Sequence, residues 1–282
     1  AVDESIEDII NSHGINNLIE DCRNTDKYWE FNTLWNSGLN HSTVIELPSD
    51  KFMPLRDYAI LSKSLIFYEE DGVHYVTFIV SYGDNMQWLL GSNFTMKNWF
   101  GSRYRENFNL GWSISPSIYN LAPTVFEKYY NSAHSSKYKD YFLVPPSGNG
   151  YMYPSKYPYE KLSDYTKKLN DYMAEVDQKY VLILDDEAFY KKDLWDKYTC
   201  NSNIDALLYL NYDKNNAYDG KIIWSNDKPI ISCRDLLWSG LEDENQLITN
   251  INTRINSGYT NIKDPNSYTF VYVHVWSNTM DN

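Results

Sequence analysis

The fold of this chain is decided by a strand, a loop and a helix that follow one another directly. The strand is Tyr141-Phe142-Leu143-Val144, the loop is Pro145-Pro146-Ser147-Gly148-Asn149-Gly150-Tyr151-Met152-Tyr153-Pro154, and the helix covers Tyr159 to Val176. Apolar side chains recur in the helix at three- and four-residue steps, and a second apolar strand follows at Tyr180 to Asp185. A strand that returns through a helix to another strand of the buried type predicts a parallel sheet covered by helices.

The loop presents aromatic side chains from a stiff backbone. Gly148 and Gly150 allow backbone geometry that other residues resist, and prolines stiffen both ends. Tyr151 and Tyr153 alternate, so we expect one ring to face inward and the other to face outward or over a pocket. Loops of this kind line the sites of many barrels. The alternative is a well-packed structural turn.

Further strands and helices alternate along the rest of the chain. The run Tyr75 to Ser81 is almost unbroken in apolar character, which is typical of a strand covered on both faces. A hairpin is predicted from Lys221 to Ser232, and helices are predicted to begin near Pro123 and to end at Gly258. Core strands are predicted near Thr43, Tyr75, Trp112, Tyr141, Val181, Leu207, Ile230 and Phe270.

This order predicts an α/β fold, a TIM-like (β/α) barrel that is irregular or incompletely closed. The alternative is an open doubly wound sheet, but no Gly-rich phosphate loop follows the first strand. We expect one domain over residues 1–282 that is part of a longer protein. The start, Ala1-Val2-Asp3, lacks an initiator Met and a signal-peptide profile. After the last strand no residues remain for a closing helix, so the natural chain continues or another chain covers that edge.

Composition and charge narrow the class of partner. Aromatic residues make up 16% of the chain, with 26 Tyr and 9 Trp, and the formal net charge is −13. Such side chains stack on sugar rings, and they also suit half-buried strands. The acidic balance without basic clusters argues against nucleic acid and anionic membranes, and no apolar segment is long enough to cross a bilayer. A neutral partner fits best.

Cysteines and sequons bear on the cellular compartment. Cys22, Cys200 and Cys233 have no metal-ligand spacing, which leaves one disulfide with a free thiol, or three buried thiols. The triplets that begin at Asn40 and Asn93 match the N-glycosylation pattern. We therefore expect a secreted, cell-surface or lysosomal protein.

The loop also spells Gly-x-Gly-Tyr-x-Tyr-Pro over residues 148–154, and the chain resembles the GxGYxYP family of glycoside hydrolases in its C-terminal, barrel-like domain. Four further stretches agree with the family: residues 82–89, 110–116, 140–142 and 270–277. The resemblance covers most of the chain from about residue 40, and it implies a further domain before Ala1. One departure is clear: the family pattern reads Asp-Gly-Asp-Asn where this chain has Tyr82-Gly83-Asp84-Asn85.

Carboxylates at the ends of barrel strands are the candidates for catalysis, because reacting groups in such barrels lie at the carboxyl ends of the strands. Most glycosidases use two carboxyl groups, one as acid and one as nucleophile or base. Asp84 is the first candidate and Asp185 the second. Alternatively, Asp84 caps the following turn, and Asp185 belongs to an acidic cluster at a helix N-terminus.

Polar and aromatic side chains near the same strand ends are the candidates for substrate binding, although each tryptophan also suits a core and His274 suits a structural role. These candidates are Asn85, Gln87, Trp88, Trp112, Ser147, Tyr151, Tyr153, His274 and Trp276. Motifs for a serine nucleophile, a phosphate-binding loop and a zinc helix are absent from the sequence. We predict neither a metal nor a cofactor.

Two functions remain open. The first, which the resemblance implies, is a glycoside hydrolase that cleaves a neutral glycan by carboxylate acid/base catalysis. The second is a non-catalytic carbohydrate-binding or structural protein with a degenerate active site, and Tyr82 favours it. The separation of carboxylates in the cleft distinguishes the two, because hydrolysis needs a pair about 5 to 10 Å apart.

Overall fold

The computed structural model describes residues 72–133, 138–212 and 218–280. Backbone contacts divide the chain into two compact units, Ala1–Tyr68 and Glu69–Asn282. All described residues belong to the second unit, and the expectation of one domain over residues 1–282 stays a prediction. The strand predicted near Thr43 lies outside the described residues.

Strands and helices alternate through the described part of the chain. The strands are β1 (Tyr75–Val80), β2 (Leu110–Ser113), β3 (Asp140–Leu143), β4 (Tyr180–Leu184), β5 (Ala206–Leu210), β6 (Ile222–Ser225), β7 (Lys228–Ser232), β8 (Asp235–Leu237) and β9 (Tyr268–Val273). The α-helices are α1 (Met86–Leu90), α2 (Ile118–Leu121), α3 (Pro123–Asn131), α4 (Tyr159–Glu175), α5 (Lys192–Thr199) and α6 (Glu244–Asn256). Short 3-10 turns lie at Asn93–Thr95, Arg103–Asn107, Pro154–Lys156 and Pro265–Ser267.

The strands form two sheets that are parallel in nearly every pairing. One sheet has the order β3-β2-β1-β9-β8 and the other the order β4-β5-β7-β6. Only β6 and β7 pair antiparallel among the described strands, as the predicted hairpin requires. The described chain is therefore a mixed α/β fold with a parallel sheet, which confirms the predicted fold class at this level.

Backbone hydrogen bonds connect the two sheets at two places. Directly after β3, the Val144 amide donates to Tyr180 O at 2.9 Å, and the Leu182 amide donates to Val144 O at 3.0 Å. Between β7 and β8, the Cys233 amide donates to Tyr209 O at 2.7 Å, and the Arg234 amide donates to Phe270 O at 3.0 Å. The segment 228–237 thus begins in one sheet and ends in the other.

Alternate residues of each strand enter different cores, which explains the unbroken apolar runs. On β4, Val181 and Ile183 pack with the buried face of α4, whereas Leu182 and Leu184 face a second core. This second core takes buried side chains from strands of both sheets: Ile79, Leu143, Leu182, Leu184, Leu210, Leu236, Phe270 and Tyr272. On β2, Gly111 faces the same core, because a Cβ there would lie 3.2 Å from Ile79 Cγ1.

The exposure of individual side chains tests two expectations, one about the cysteines and one about N-glycosylation. Cys200 is exposed and Cys233 is buried, and both are free thiols, so neither three buried thiols nor one disulfide with a free thiol is correct. The side chain of Asn93 is only 2% exposed and donates to the Tyr129 hydroxyl at 3.1 Å. A glycan has no room at Asn93 in the folded domain, which corrects the expectation from that sequon.

Candidate functional site

The turn after β1 holds Asp84 at the carboxyl edge of the sheet. The Gly83 amide donates to Ser113 Oγ at 2.9 Å, and Gly83 O accepts from the Ser115 amide at 3.1 Å. The backbones are so close that a Cβ at Gly83 would lie 1.9 Å from Ser113 O. Tyr82 has a φ of +83°, a conformation that costs energy for a residue with a side chain. The chain is therefore fixed tightly at this point, next to Asp84.

The Asp84 side chain is not the cap of the helix that follows. Asn85 has that role, since its Oδ1 accepts from the Trp88 amide at 3.0 Å. The Asp84 carboxyl group is partly buried, and burial raises its pKa. Within the described residues, the only hydrogen bond that opposes this shift comes from the backbone of Asp84 itself. Its carboxyl group is therefore available for an external partner.

Tyrosine hydroxyl groups form a row beside Asp84. Tyr153 interacts with Tyr151, Tyr151 with Tyr212, and Tyr212 with Tyr272. Burial raises the pKa of Tyr151 to about 12, and the charge of Asp84 adds to this shift. Burial is also the main cause of the raised pKa of Tyr153, Tyr212 and Tyr272. The row is therefore protonated at neutral pH and offers hydroxyl groups for hydrogen bonding.

Tyr151 is thus brought to the same end of the sheets as Asp84, as predicted from the parallel order of the strands. Both residues follow core strands, β3 and β1 respectively. The Tyr151 and Tyr153 rings meet edge to face with centroids 6.0 Å apart. Tyr151 is 54% exposed, and Tyr153 packs partly against the core between the sheets. One ring faces outward and the other inward, which confirms the predicted alternation.

A second group of side chains surrounds His274, directly after β9. Its Nε2 lies 2.9 Å from the Tyr82 hydroxyl and its Nδ1 lies 2.8 Å from Ser277 Oγ. The Trp238 indole stacks on the imidazole at 3.8 Å between centroids and an interplanar angle of 9°. Burial lowers the pKa of His274 to about 4. The imidazole is therefore neutral at neutral pH and bonded at both nitrogens.

Aromatic rings next to Tyr82 leave one large face open to solvent. Trp276 meets Tyr82 with centroids 5.1 Å apart and Trp88 with centroids 5.5 Å apart. Trp88 is nearly buried, and its Nε1 donates to Met96 Sδ at 3.2 Å. Trp276 is 56% exposed and presents the free ring of this group. Gln87, on the same helix as Trp88, is exposed.

Asp185 lies apart from this open region and organises the Gly-x-Gly-Tyr-x-Tyr-Pro loop. It is fully buried, and its carboxylate accepts from the Ser155 amide at 2.6 Å, the Ser155 hydroxyl at 2.6 Å and the Asp186 amide at 2.8 Å. A carboxylate with no exposed surface and three hydrogen bonds has no room for a substrate. The structure therefore does not bring Asp185 together with Asp84 as an accessible pair.

Two further candidates are also buried structural residues. Ser147 is 0% exposed; its hydroxyl donates to Met152 O at 2.9 Å and accepts from the Leu184 amide at 2.9 Å. Trp112 is 3% exposed, and its Nε1 donates to Asp140 Oδ1 at 2.7 Å. Both side chains stabilise the framework below the open region.

Three residues of the site were not predicted from the sequence: Tyr82 as a binding group, Trp238 and Tyr272. The strand-end rule places Tyr212 directly after β5, and it could also have found Trp238, which follows β8. Among residues 72–133, 138–212 and 218–280, no group of His, Cys, Asp and Glu is suited to a metal ion. No helix of the described part is long and apolar enough to cross a membrane.

Two family models match the chain. The family model described as "GxGYxYP putative glycoside hydrolase C-terminal domain" matches residues 72–282, and the model of the "GxGYxYP_N second domain" matches residues 1–39. No curated protein matches the chain.

Solved structures give one informative relative. A putative hydrolase from Bacteroides thetaiotaomicron is 33% identical, with a TM-score of 0.66, over 88% of this chain and 44% of that chain. A 4-alpha-glucanotransferase from Thermococcus litoralis is 12% identical over 72% of this chain and 33% of that chain. Its TM-score of 0.39 is too low to show a shared fold. This chain thus spans less than half the length of either structure. By the match over residues 72–282, the chain belongs to the GxGYxYP family and contains its C-terminal domain.

Proposed function

We propose that the two sheets form one irregular (β/α) barrel with the site at its mouth. The hydrogen bonds from Val144 to β4 and from Cys233 and Arg234 to β5 and β9 support a closed ring in the order β1-β2-β3-β4-β5-β7/β8-β9. The core with members from both sheets would be the barrel interior. Asp84, Tyr151, Tyr212 and His274 all follow the carboxyl ends of strands of this ring, which is where barrel enzymes bind substrates.

We further propose that the chain is a glycoside hydrolase in which Asp84 is the general acid. The observation that carries this proposal is the partly buried Asp84 carboxyl group with a raised pKa, in electrostatic contact with Tyr82, Tyr151 and Tyr272. A carboxyl group must keep its proton to protonate a glycosidic oxygen, and burial favours the protonated form. In hydrolysis the proton moves from Asp84 to the leaving oxygen as the glycosidic bond breaks, and the carboxylate recovers a proton from the attacking water.

The surrounding side chains suit an uncharged sugar. The exposed rings of Tyr151 and Trp276 offer stacking faces. The tyrosine row offers hydrogen-bonding groups without a positive charge, and the neutral His274 adds no charge of its own. The nearby Lys156 is ion-paired with Asp186 at 2.6 Å. Within the described residues, no cation acts on the pKa of Asp84, so a positive charge that would stabilise a bound anionic sugar is missing there.

A second candidate function is carbohydrate binding without turnover. The observation that favours it is the environment of Asp84: within the described residues, no other carboxylate acts on its pKa. Tyr82 stands where the family pattern has an aspartate, and its hydroxyl is bonded to His274. A lone carboxyl group among aromatic rings is the arrangement expected of a binding protein.

A glycan-array screen of the whole chain, followed by hydrolysis assays on the glycans that bind, separates the two functions. For a hydrolase, we expect turnover of a neutral glycan that Asp84→Asn abolishes while binding remains. The matched control is Asp186→Asn, a carboxylate with 52% exposure whose side chain pairs with Lys156. Binding without turnover would support the second function. Absence of binding to any neutral glycan would contradict both.

A further inference from the structure

The loop between β8 and α6 forms one wall of the site. Its Trp238 stacks on His274 with centroids 3.8 Å apart, and meets the Tyr212 ring edge to face at 4.2 Å. Trp238 thus contacts both the imidazole beside Tyr82 and the tyrosine row. The position of this one indole depends on how residues 238–242 are held.

Glu242 fastens this loop back onto β8. The Leu236 amide donates to Glu242 Oε2 at 2.8 Å, so the side chain bonds to the strand that precedes the loop. The Glu242 amide in turn donates to Trp238 O at 3.1 Å, as does the Leu241 amide at 2.8 Å. The loop is therefore a short closed turn with Trp238 at one end and Glu242 at the other.

The Glu242 carboxyl group shares its surroundings with a second carboxyl group. Asn250 Nδ2 donates to Glu242 Oε1 at 2.7 Å and to Asp235 Oδ1 at 3.1 Å, so one amide bridges the two acids. Arg254 pairs with both oxygens of Asp235. The Arg254 guanidinium thus pairs with Asp235, and a second ionised carboxylate at Asn250 would be repelled by the charge of Asp235.

Among the described residues, the two cations near this pair of acids, Arg254 and Arg234, act on Asp235 rather than on Glu242. Asp235 lies on β8, and the buried Cys233 thiol, which precedes it, is affected by Glu242. On α6, Arg254 is taken by Asp235, while Asp243 caps the helix and Glu244 lies in its first turn. Burial and then the charge of Asp235 raise the pKa of Glu242 to about 7.

We propose that Glu242 is a positioning residue that holds Trp238 against His274 when its carboxyl group is protonated and releases the loop when it ionises. The protonated group donates to Asp235 while still accepting from Leu236. The ionised group faces Asp235 across the Asn250 amide and is repelled by it. The site wall would then be ordered below neutral pH and loosened above it. This inference rests on the proposed location of the site and on no assumption about hydrolysis.

The test follows the near-ultraviolet circular dichroism of the whole chain from pH 5.5 to 8.5, with hydrogen exchange of residues 236–242 at both limits. We expect a transition near pH 7 in the parent. Glu242→Gln, which imitates the protonated group, should abolish it and keep slow exchange at pH 8.5. Trp238→Phe should remove most of its amplitude. Glu160→Gln, an exposed acid on α4, is the matched control and should titrate like the parent.

An unchanged transition in Glu242→Gln would overturn the proposal, as would an amplitude that does not depend on Trp238. If Glu242→Gln does not fold, Asp235→Asn gives an independent measurement. Removing the charge of Asp235 should lower the midpoint of the pH transition by one pH unit or more. An unmoved midpoint would contradict the proposed interaction between Glu242 and Asp235. None of these readouts needs a substrate, so failure of the hydrolase proposal would leave them interpretable.

Discussion

The Tyr82 hydroxyl lies 2.9 Å from Nε2 of His274, and this contact joins the turn after β1 to the turn after β9. The two strands are adjacent in the sheet. Tyr82 also contacts the Trp276 ring, and His274 stacks on Trp238. The hydrogen bond between Tyr82 and His274 therefore connects these two tryptophans. A neutral imidazole accepts or donates at Nε2 without charge, whereas a protonated one can only donate.

His274 is predicted to make the domain less stable in acid. Burial lowers its pKa to about 4 in the folded protein, below the ordinary value of 6.5 that applies to the unfolded chain. Between these pH values His274 is protonated in the unfolded chain but not in the folded protein. The free energy of unfolding therefore decreases as the pH falls from about 6.5 to 4. The expected loss is on the order of 3 kcal/mol, since one pKa unit corresponds to about 1.4 kcal/mol.

Urea unfolding at pH 4.5, 5.5, 6.5 and 7.5 measures this contribution. Because the raised pKa of Glu242 has the opposite effect over part of this range, the comparison is best made in the Glu242→Gln background. His274→Gln in that background should flatten the remaining dependence on pH. An equal slope with and without His274 would show that its imidazole does not resist protonation.

Asp84→Asn is expected to separate activity from stability. If Asp84 is the acid, turnover of a glycan that the protein hydrolyses should fall by about 100-fold or more, because general acid catalysis typically contributes that much. Thermal stability should stay equal or rise at neutral pH. The pKa of Asp84 is raised by burial, so its ionised form costs stability above that pKa, and asparagine removes the cost. Unchanged turnover, or a large loss of stability, would contradict the assignment.

Asp185→Ala is expected to destabilise the Gly-x-Gly-Tyr-x-Tyr-Pro loop. The change leaves the Ser155 amide and hydroxyl without their acceptor, and bonds to charged groups are worth about 1.5–3 kcal/mol each. We expect a loss of about 2–4 kcal/mol in the free energy of unfolding and faster proteolysis near Tyr151. Asp186→Ala, which removes only an exposed ion pair, is the control and should cost less than about 1 kcal/mol. Equal losses in the two variants would argue against the anchoring role.

The sequence predicted the order of the strands along the chain and their mostly parallel pairing, but not which of the candidate side chains are buried. Trp112 and Gly111 are neighbours on β2, and successive residues of a strand face opposite sides of the sheet. Gly111 faces the core that both sheets share, so Trp112 is buried in the core on the other side. Asp185 follows β4 as Asp84 follows β1, yet the Asp185 carboxylate accepts hydrogen bonds from the amide and the hydroxyl of Ser155. Ser155 is 30 residues away in the sequence, so no local sequence pattern reveals this partner.

Gly83→Ala is expected to disrupt the turn that presents Asp84. An added Cβ would lie 1.9 Å from Ser113 O and 2.6 Å from the Ile114 amide nitrogen, and both neighbours are backbone atoms that cannot rotate away. To accept the methyl group, the turn after β1 must move off β2 and give up the bond from Gly83 N to Ser113 Oγ. We expect a loss of several kcal/mol, as for other changes that force backbone strain in a packed core.

The control for this change is Gly150→Ala, in the loop that carries Tyr151. A Cβ at Gly150 meets no atom within 4 Å, and its backbone is outside the left-handed region, so the expected change in stability is within about 0.5–1 kcal/mol. Urea unfolding measures both variants under one condition. Because Gly83→Ala moves Asp84 without removing it, any hydrolysis or glycan binding should fall with the turn even under conditions where the domain stays folded. Equal losses of stability in Gly83→Ala and Gly150→Ala would mean that the close approach of β1 and β2 does not position Asp84.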